Sequence, residues 1–201
     1  MLFLLVYVDD ILVTGSDSTA LQQCIHDLDK HFALETLGSV NYFLGFEAHR
    51  DKIGLYLTQS KYTIDLLTKA GMNDCKSCDT PVNLAVSFTD EGELFLDPSL
   101  YRTIVGSLQY LTYTRLDISF VVNILSQFLT TPKLQHWTVC KRLLRHLKGS
   151  IGLGLCFTSS PDMTLTVFTD ADHAGFKVSR KSTSGIYVFL VSNLLVWSSR
   201  K

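Results

Sequence analysis

The sequence is short of charge. Lys and Arg number 18 and Asp and Glu 19 in 201 residues, leaving a net charge of −1 with His neutral. Bulk charge therefore gives no support to nucleic-acid binding, and any such contact has to come from a local basic patch. A chain that is 46% hydrophobic and 18% charged, with a mean hydropathy of +0.19, can build a core, which argues against a disordered chain. No apolar run approaches the ~18 residues of a membrane span, so no membrane partner is expected. Cysteine is sparse: five stand at positions 24, 75, 78, 140 and 156, and Cys75-x-x-Cys78 is the only close pair. No second pair or His pair stands at zinc-ligand spacing, so reduced thiols in a reducing compartment are expected rather than a structural metal. A secretory leader is missing too. Met1–Val8 has no basic start, its apolar run is short, and two Asp end it, which predicts an intracellular, non-secreted product. There is no internal repeat and no low-complexity tract.

What is present alternates in character. Leu2–Val8 and Ile11–Thr14 are predicted strands joined by a two-residue polar turn. A helix should follow, capped by Asp17 or Ser18, with Leu21, Ile25, Leu28 and Phe32 at helical spacing. Tyr42–Ala48 and Gly54–Thr58 predict a second hairpin with "HRDK" as its turn. Lys61–Ala70 predicts a helix with Ile64, Leu67 and Ala70 on its apolar face and Gly71 just past its end. Residues 73–96 lack periodicity and read as a long connection. Asp97-Pro98 pairs a capping Asp with Pro at the first helical position. Leu100, Ile104, Leu108 and Leu111 form that helix's stripe. Asp117 is the expected cap of the next helix, through Ile118, Val121, Leu125 and Leu129. Thr131-Pro132 is the expected start of a third, with Leu134, Trp137, Cys140, Leu144 and Leu147 inward and Gly149 at its end. Three helices with short connections predict a small antiparallel bundle. Leu165–Asp170, Gly185–Leu190 and Leu194–Ser198 are predicted strands. No helix follows to cover them, so the sheet reads as a domain cut in mid-fold.

The stretch "LLVYVDDILVTG" places Asp9 and Asp10 side by side at the tip of an apolar hairpin. Asp is common in turns because its side chain bonds its own backbone. The alternative is a metal site. Mg²⁺ takes hard oxygen ligands, combining one or two carboxylates with substrate phosphates. Two such ions ~4 Å apart clamp the attacking and leaving oxygens of a phosphoryl transfer.

"YVDD" resembles the catalytic hairpin of reverse transcriptases, and "LLVYVDDILVTGSD" resembles that of the Ty1/copia class of retrotransposon Pol polyprotein. Four further blocks are similar to successive parts of that family: "LGSVNYFLGFEAHRDKIGLYLTQSKYTIDLLTKAGM", "YRTIVGSLQYLTYTRLDISFVVNILSQF", "HWTVCKRLLRHLKGS" and "DADHAGFKVSRKSTSGIYVFLVSNLLVWSSRK". They stand in family order and cover nearly the whole chain. The sequence also resembles short copia-derived open reading frames of plant mitochondrial genomes.

The resemblance implies an α+β fold in three zones. Residues 1–58 would be the C-terminal part of a polymerase palm, 59–150 the helical thumb and connection, and 160–201 the first strands of a truncated RNase H-like domain. It implies RNA-directed DNA synthesis with Mg²⁺ as cofactor. Its implied partners are an RNA/DNA template–primer, dNTPs and the remaining Pol polyprotein segments. By resemblance Asp9 and Asp10 match the paired metal-binding aspartates of the polymerase, with Asp9 the more direct ligand, and Tyr7 matches the aromatic residue near the primer end. Phe43, Leu44 and Gly45 match the primer-grip hairpin; by residue type alone Phe43 and Leu44 are equally core residues. Asp170 matches the first metal-binding Asp of RNase H, and Asp172 lies two residues on, a second ligand or a solvated loop residue. Lys141, Arg142, Arg145, His146 and Lys148 form a positive helix face, solvated or facing a nucleic-acid backbone. Lys177, Arg180 and Lys181 form a second cluster.

The pattern also breaks. A third polymerase carboxylate is expected upstream of the YVDD block, and further RNase H carboxylates beyond the third strand, so both sites are expected to be partial and the chain inactive alone. Glu35 stands where copia polymerases usually carry Lys, reversing a charge that would face a triphosphate. Leu116 replaces a usual Pro and His173 a usual Trp. The alternatives to an inactive polymerase segment are a non-enzymatic nucleic-acid-binding remnant and a relic without a stable fold, whose open edges and apolar faces would aggregate.

Overall fold

The computed structural model describes residues 1–83, 88–171 and 182–200. It divides into a unit of Met1–Asn41 and a second unit from Tyr42 onward. The fold is α+β: helices and antiparallel sheets, with no parallel pairing in any sheet described.

In the first unit, β1 (Leu2–Tyr7) pairs antiparallel with β2 (Asp10–Gly15), from Leu2 opposite Gly15 to Tyr7 opposite Asp10. The loop is therefore Val8-Asp9, one residue earlier than the expected Asp9-Asp10, and Asp10 opens a strand. Helix α1 (Ser18–Phe32) starts at Asp17, whose carboxylate accepts the Thr19 and Ala20 N–H groups at 2.9 and 3.1 Å. Those amides would otherwise be orphaned at a helix start.

The second unit opens with a four-stranded sheet ordered β3 (Tyr42–Phe43), β4 (Phe46–Arg50), β5 (Gly54–Thr58) and β6 (Gly154–Thr158). The expected single strand Tyr42–Ala48 is split by a tight turn at Leu44-Gly45, where both residues take positive φ, 50° and 77°. Strand β6 had no counterpart among the expected elements. It is glycine that lets it dock. A Cβ on Gly154 would lie 2.1 Å from the Leu57 carbonyl oxygen, and one on Gly54 2.1 Å from that of Phe157. Gly154→Ala must push the β5 backbone away at one end of the ladder, and a destabilisation of about 1–3 kcal/mol is expected from such overpacking. Thermal unfolding checks it, and amide exchange in residues 54–58 should accelerate at the same time.

The second unit has four α-helices among the described residues. Helix α2 (Ser60–Lys69) ends in a full reversal: Gly71, at φ 66°, donates to Thr68 O, and Met72 donates to Leu67 O. Its buried face is Thr63, Leu66 and Leu67, whereas Ile64 is exposed. Helix α3 (Pro98–Leu111) is capped by Asp97, which accepts Leu100 N–H at 2.9 Å, with Pro98 in the first turn. Helix α4 (Ser119–Ser126) follows a short 3₁₀ turn at Leu116–Ile118. Helix α5 (Leu134–Gly149) starts after Lys133, two residues past the expected Thr131-Pro132. There the His136 ring accepts Lys133 N–H at 3.1 Å, and Leu134 faces solvent. The His136 ring is buried, stacks on Phe128 at 3.7 Å, and burial pulls its pKa below the usual His value.

The core lies among α2, α3, α4 and α5. Tyr101, Ile104, Val105, Leu108 and Leu111 of α3 meet Val121 and Leu125 of α4 and Cys140, Leu143, Leu144 and Leu147 of α5. Asp117 does not cap α4. Its carboxylate is taken by Arg115, whose Nε and Nη2 donate to it at 2.9 and 2.7 Å, and by His146 Nε2 at 2.9 Å. A bidentate guanidinium outcompetes two backbone amides for the same oxygens.

The last sheet is β7 (Leu165–Ala171), β8 (Ser184–Leu190) and β9 (Asn193–Arg200), in that order. Trp197 Nε1 donates to Thr112 O at 2.9 Å, and Leu194 is buried, so one side of β9 is tied to the end of α3. Leu165, Val167 and Val196 remain exposed. No helix among the described residues is long and apolar enough to cross a membrane.

Candidate functional site

The β1–β2 hairpin owes its existence to β-branched and aromatic residues on both sides of a two-residue loop. Val8 turns the chain at φ 49°, a left-handed conformation that a β-branched side chain takes at a cost of about 1–2 kcal/mol. The result is a sharp tip carrying Asp9 in the loop and Asp10 directly opposite Tyr7. Directly opposed residues share a face of the ladder, so Tyr7 and Asp10 lie on one side. All three side chains are exposed. Carboxylate oxygens are the right donors for a hard divalent ion such as Mg²⁺. The number is too small: no group of three His, Cys, Asp or Glu side chains placed to hold a metal stands anywhere among the described residues. The pair does not by itself make a closed metal site.

In the second unit Phe43, Leu44 and Gly45 come together in the β3–β4 turn. That turn is held by a residue outside the motif. The Tyr110 hydroxyl of α3 donates to the Leu44 carbonyl, and its ring covers Gly45, where a Cβ would stand 3.3 Å from Tyr110 Cε1. Phe46, Tyr62 and Tyr113 surround the ring, with centroids 5.7, 5.2 and 5.7 Å from it. Beneath the turn Glu47 accepts Lys61 N–H at 2.6 Å, fixing the start of α2 to β4. Tyr110 was missed in sequence because Leu100, Ile104, Leu108 and Leu111 accounted for α3. The available signal was an aromatic residue off that stripe.

The basic face of α5 has internal partners. Arg142 Nη2 donates to Thr80 Oγ1 at 2.7 Å, Arg145 Nε to Lys76 O at 2.7 Å, and Lys148 Nζ to Asn73 O at 2.6 Å. His146 Nδ1 lies 3.3 Å from Cys78 O. The connection at 73–80 thus runs along this face, close enough that a Cβ on Gly149 would meet Ser77 Cβ at 2.9 Å. Lys141 is exposed. Cys75 and Cys78 of the same connection are free thiols.

Asp170 lies near the end of β7, opposite Gly185, exposed, with one carboxylate oxygen accepting Ala171 N–H at 2.9 Å. Asp172, His173, Lys177, Arg180 and Lys181 lie outside the described residues.

A family model described as reverse transcriptase (RNA-dependent DNA polymerase) matches residues 1–84, which includes the Asp9-Asp10 hairpin and the Phe43–Gly45 turn. An uncharacterized mitochondrial protein of Arabidopsis thaliana is 42% identical over 200 residues, covering 100% of this chain and 83% of that protein. The retrovirus-related Pol polyprotein from transposon RE2 of the same plant is 41% identical over 202 residues, all of this chain but 14% of the polyprotein. The corresponding polyprotein from transposon TNT 1-94 of Nicotiana tabacum is 35% identical over 211 residues, 99% of this chain and 16% of its own length. No solved structure matches.

Proposed function

The chain belongs to the reverse transcriptase family of copia-type Pol polyproteins, and from that premise we propose that it is a segment of such a polymerase, inactive on its own. The observation that carries this reading is the exposed carboxylate pair, Asp9 and Asp10, on a sharp hairpin tip inside the stretch matched by the family model. In the proposed polymerase Asp9 and Asp10 would supply two of the carboxylate ligands to the family's Mg²⁺, which would polarise the phosphate under attack. The chain's own part is to present them rigidly, with Tyr7 on the same face as Asp10. Phe43, Leu44 and Gly45 form the primer contact. Residues 1–58 serve as palm, 59–150 as thumb and connection, and 160–201 as the start of an RNase H-like domain with Asp170 as its first acidic ligand. Lys141 reaches a template–primer backbone directly. Contact through Arg142 or Arg145 competes with their bonds to the 73–80 connection, which gives a purely basic-helix reading less support.

The test is a chimera. The matching stretch of the tobacco or Arabidopsis Pol polyprotein is exchanged for this chain, and primer extension is measured with Mg²⁺. Extension is expected, at a reduced rate, and Asp9→Asn in the chimera should lower it by about a thousandfold or more, as losing a metal-binding charge does. Glu35→Lys should raise it, since a carboxylate repels triphosphate. The isolated chain should extend no primer. A chimera that stays inactive with Glu35→Lys, or extension indifferent to Asp9→Asn, overturns the reading.

A further inference from the structure

The Leu44-Gly45 turn is an unfavourable piece of backbone. Gly45 accepts φ 77° freely, but Leu44 at φ 50° carries a Cβ that crowds the neighbouring carbonyl. Such a residue persists only where its surroundings fix it. One side chain reaches both residues of the turn. Tyr110 bonds the Leu44 carbonyl through its hydroxyl and lies against Gly45 through its ring edge. The ring is itself held by Phe46 and Tyr62, one from the strand leaving the turn and one from α2. Helix α3 is well anchored, since Tyr101, Ile104, Val105, Leu108 and Leu111 are all fully buried. A rigid helix therefore reaches across to fix a strained turn.

We propose that Tyr110 is the positioning residue of the Phe43–Gly45 turn, presenting it in a single conformation to the recessed end of a nucleic-acid duplex. The duplex partner rests on the primer-contact reading above; the positioning of the turn does not. Tyr110 touches no substrate in this scheme and acts through the Leu44 carbonyl. A second aromatic, Tyr113, is the internal control: its ring packs on Tyr110 and Phe46 but is largely exposed.

The experiment uses the full 201-residue chain with Tyr110→Phe, Gly45→Ala and Tyr113→Phe. Hydrogen exchange of the peptide spanning 42–47 is read by mass spectrometry. Binding of a fluorescent DNA duplex with a recessed 3′ end, against a blunt one, is read by anisotropy. Tyr110→Phe keeps the ring and loses the hydroxyl, so exchange at the turn should rise about tenfold, the effect of one lost hydrogen bond, with little change in Tm. Gly45→Ala should do the same from the other side of the contact. The preference for the recessed duplex should fall about threefold to tenfold in both and hold in Tyr113→Phe, an effect that loss of general packing would not give. Unchanged exchange at the turn in Tyr110→Phe, or an equal rise in Tyr113→Phe, overturns the positioning role. A wild-type chain with no preference for recessed ends overturns the primer-contact reading instead, and the exchange data still decide the role of Tyr110.

Discussion

Arg115→Met lowers the stability of the helical unit by about 3 kcal/mol at neutral pH, and the loss shrinks in acid. Arg115 is 3% exposed and spends its guanidinium on two groups. Nε and Nη2 clamp Asp117, while Nη1 and Nη2 donate to the Ser150 carbonyl and hydroxyl at 2.9 and 2.7 Å, at the C-terminal end of α5. The cation therefore also sits where a helix terminus is negative. Removing one partner of a buried pair costs about 3–5 kcal/mol because the other is left charged and unpaired. The Asp117 side chain is 36% exposed, so solvent screens it and the lower end applies. Its pKa sets the pH dependence. Burial pushes it up, but the Arg115 and His146 hydrogen bonds outweigh burial and leave it below the usual 3.8. A carboxylate with a depressed folded pKa contributes stability above the unfolded value, lost as pH falls through the folded one. Wild type should thus lose this contribution below about pH 4, and the gap to Arg115→Met should narrow over that range, because a protonated Asp117 no longer needs a partner. Urea unfolding at pH 7, 5 and 3.5 measures both effects. A constant gap would assign the cost to lost packing of the Arg115 stem. Asp117→Leu added to Arg115→Met should recover part of the loss at pH 7.

That network also marks where sequence reading stops. Asp17, Asp97-Pro98 and Gly71 could be read directly because capping is satisfied within five residues of chain. Asp117 has the same local signature and a different fate, since its partners include His146, 29 residues on, which no local pattern registers. Strand β6 carries no local signal because only Phe157 and Thr158 of its five residues are strand formers by type, and it gains its identity by pairing with β5 about a hundred residues earlier. Ile64 and Leu134 satisfied helical periodicity but lie at the rim of their apolar stripes, where a shift of a few tens of degrees decides exposure. In the site, the paired carboxylates alone are also common turn residues, and it is the surrounding LLVYVDDILVTGSD, by its resemblance, that singles them out. The split of Tyr42–Ala48 at Leu44 was not legible, since Leu is a poor candidate for a left-handed turn and is held there by Tyr110. The partners of Arg142 and Arg145 carry no local signal for the opposite reason: one is a threonine hydroxyl and the other a backbone carbonyl, each more than sixty residues away in the chain.

Leu108→Ala is the second large effect. Leu108 is fully buried in a cluster with side chains of three other helices, and the core residues around it are themselves buried. A Leu→Ala change in such a setting loses transfer free energy and leaves a cavity that rigid neighbours do not fill, together about 3–5 kcal/mol. Ile64→Ala, at 48% exposure, should cost about 1 kcal/mol or less although periodicity ranks the two alike. Urea unfolding of both variants separates them, and similar losses would mean that the α3 site collapses on substitution. The Leu108 variant also tests how the turn is supported. Leu108 and Tyr110 lie about 200° apart around α3, one turned to the core and the other toward Leu44. Weakening the core lowers the free energy of every amide that opens by global unfolding, while the turn, which opens locally, keeps its own rate. Tyr110→Phe should do the reverse. A Leu108→Ala chain whose 42–47 peptide exchanges as in wild type, while its helices exchange faster, shows that α3 serves two separable ends: a rigid core on one side, and on the other a single hydroxyl that holds a strained turn in place.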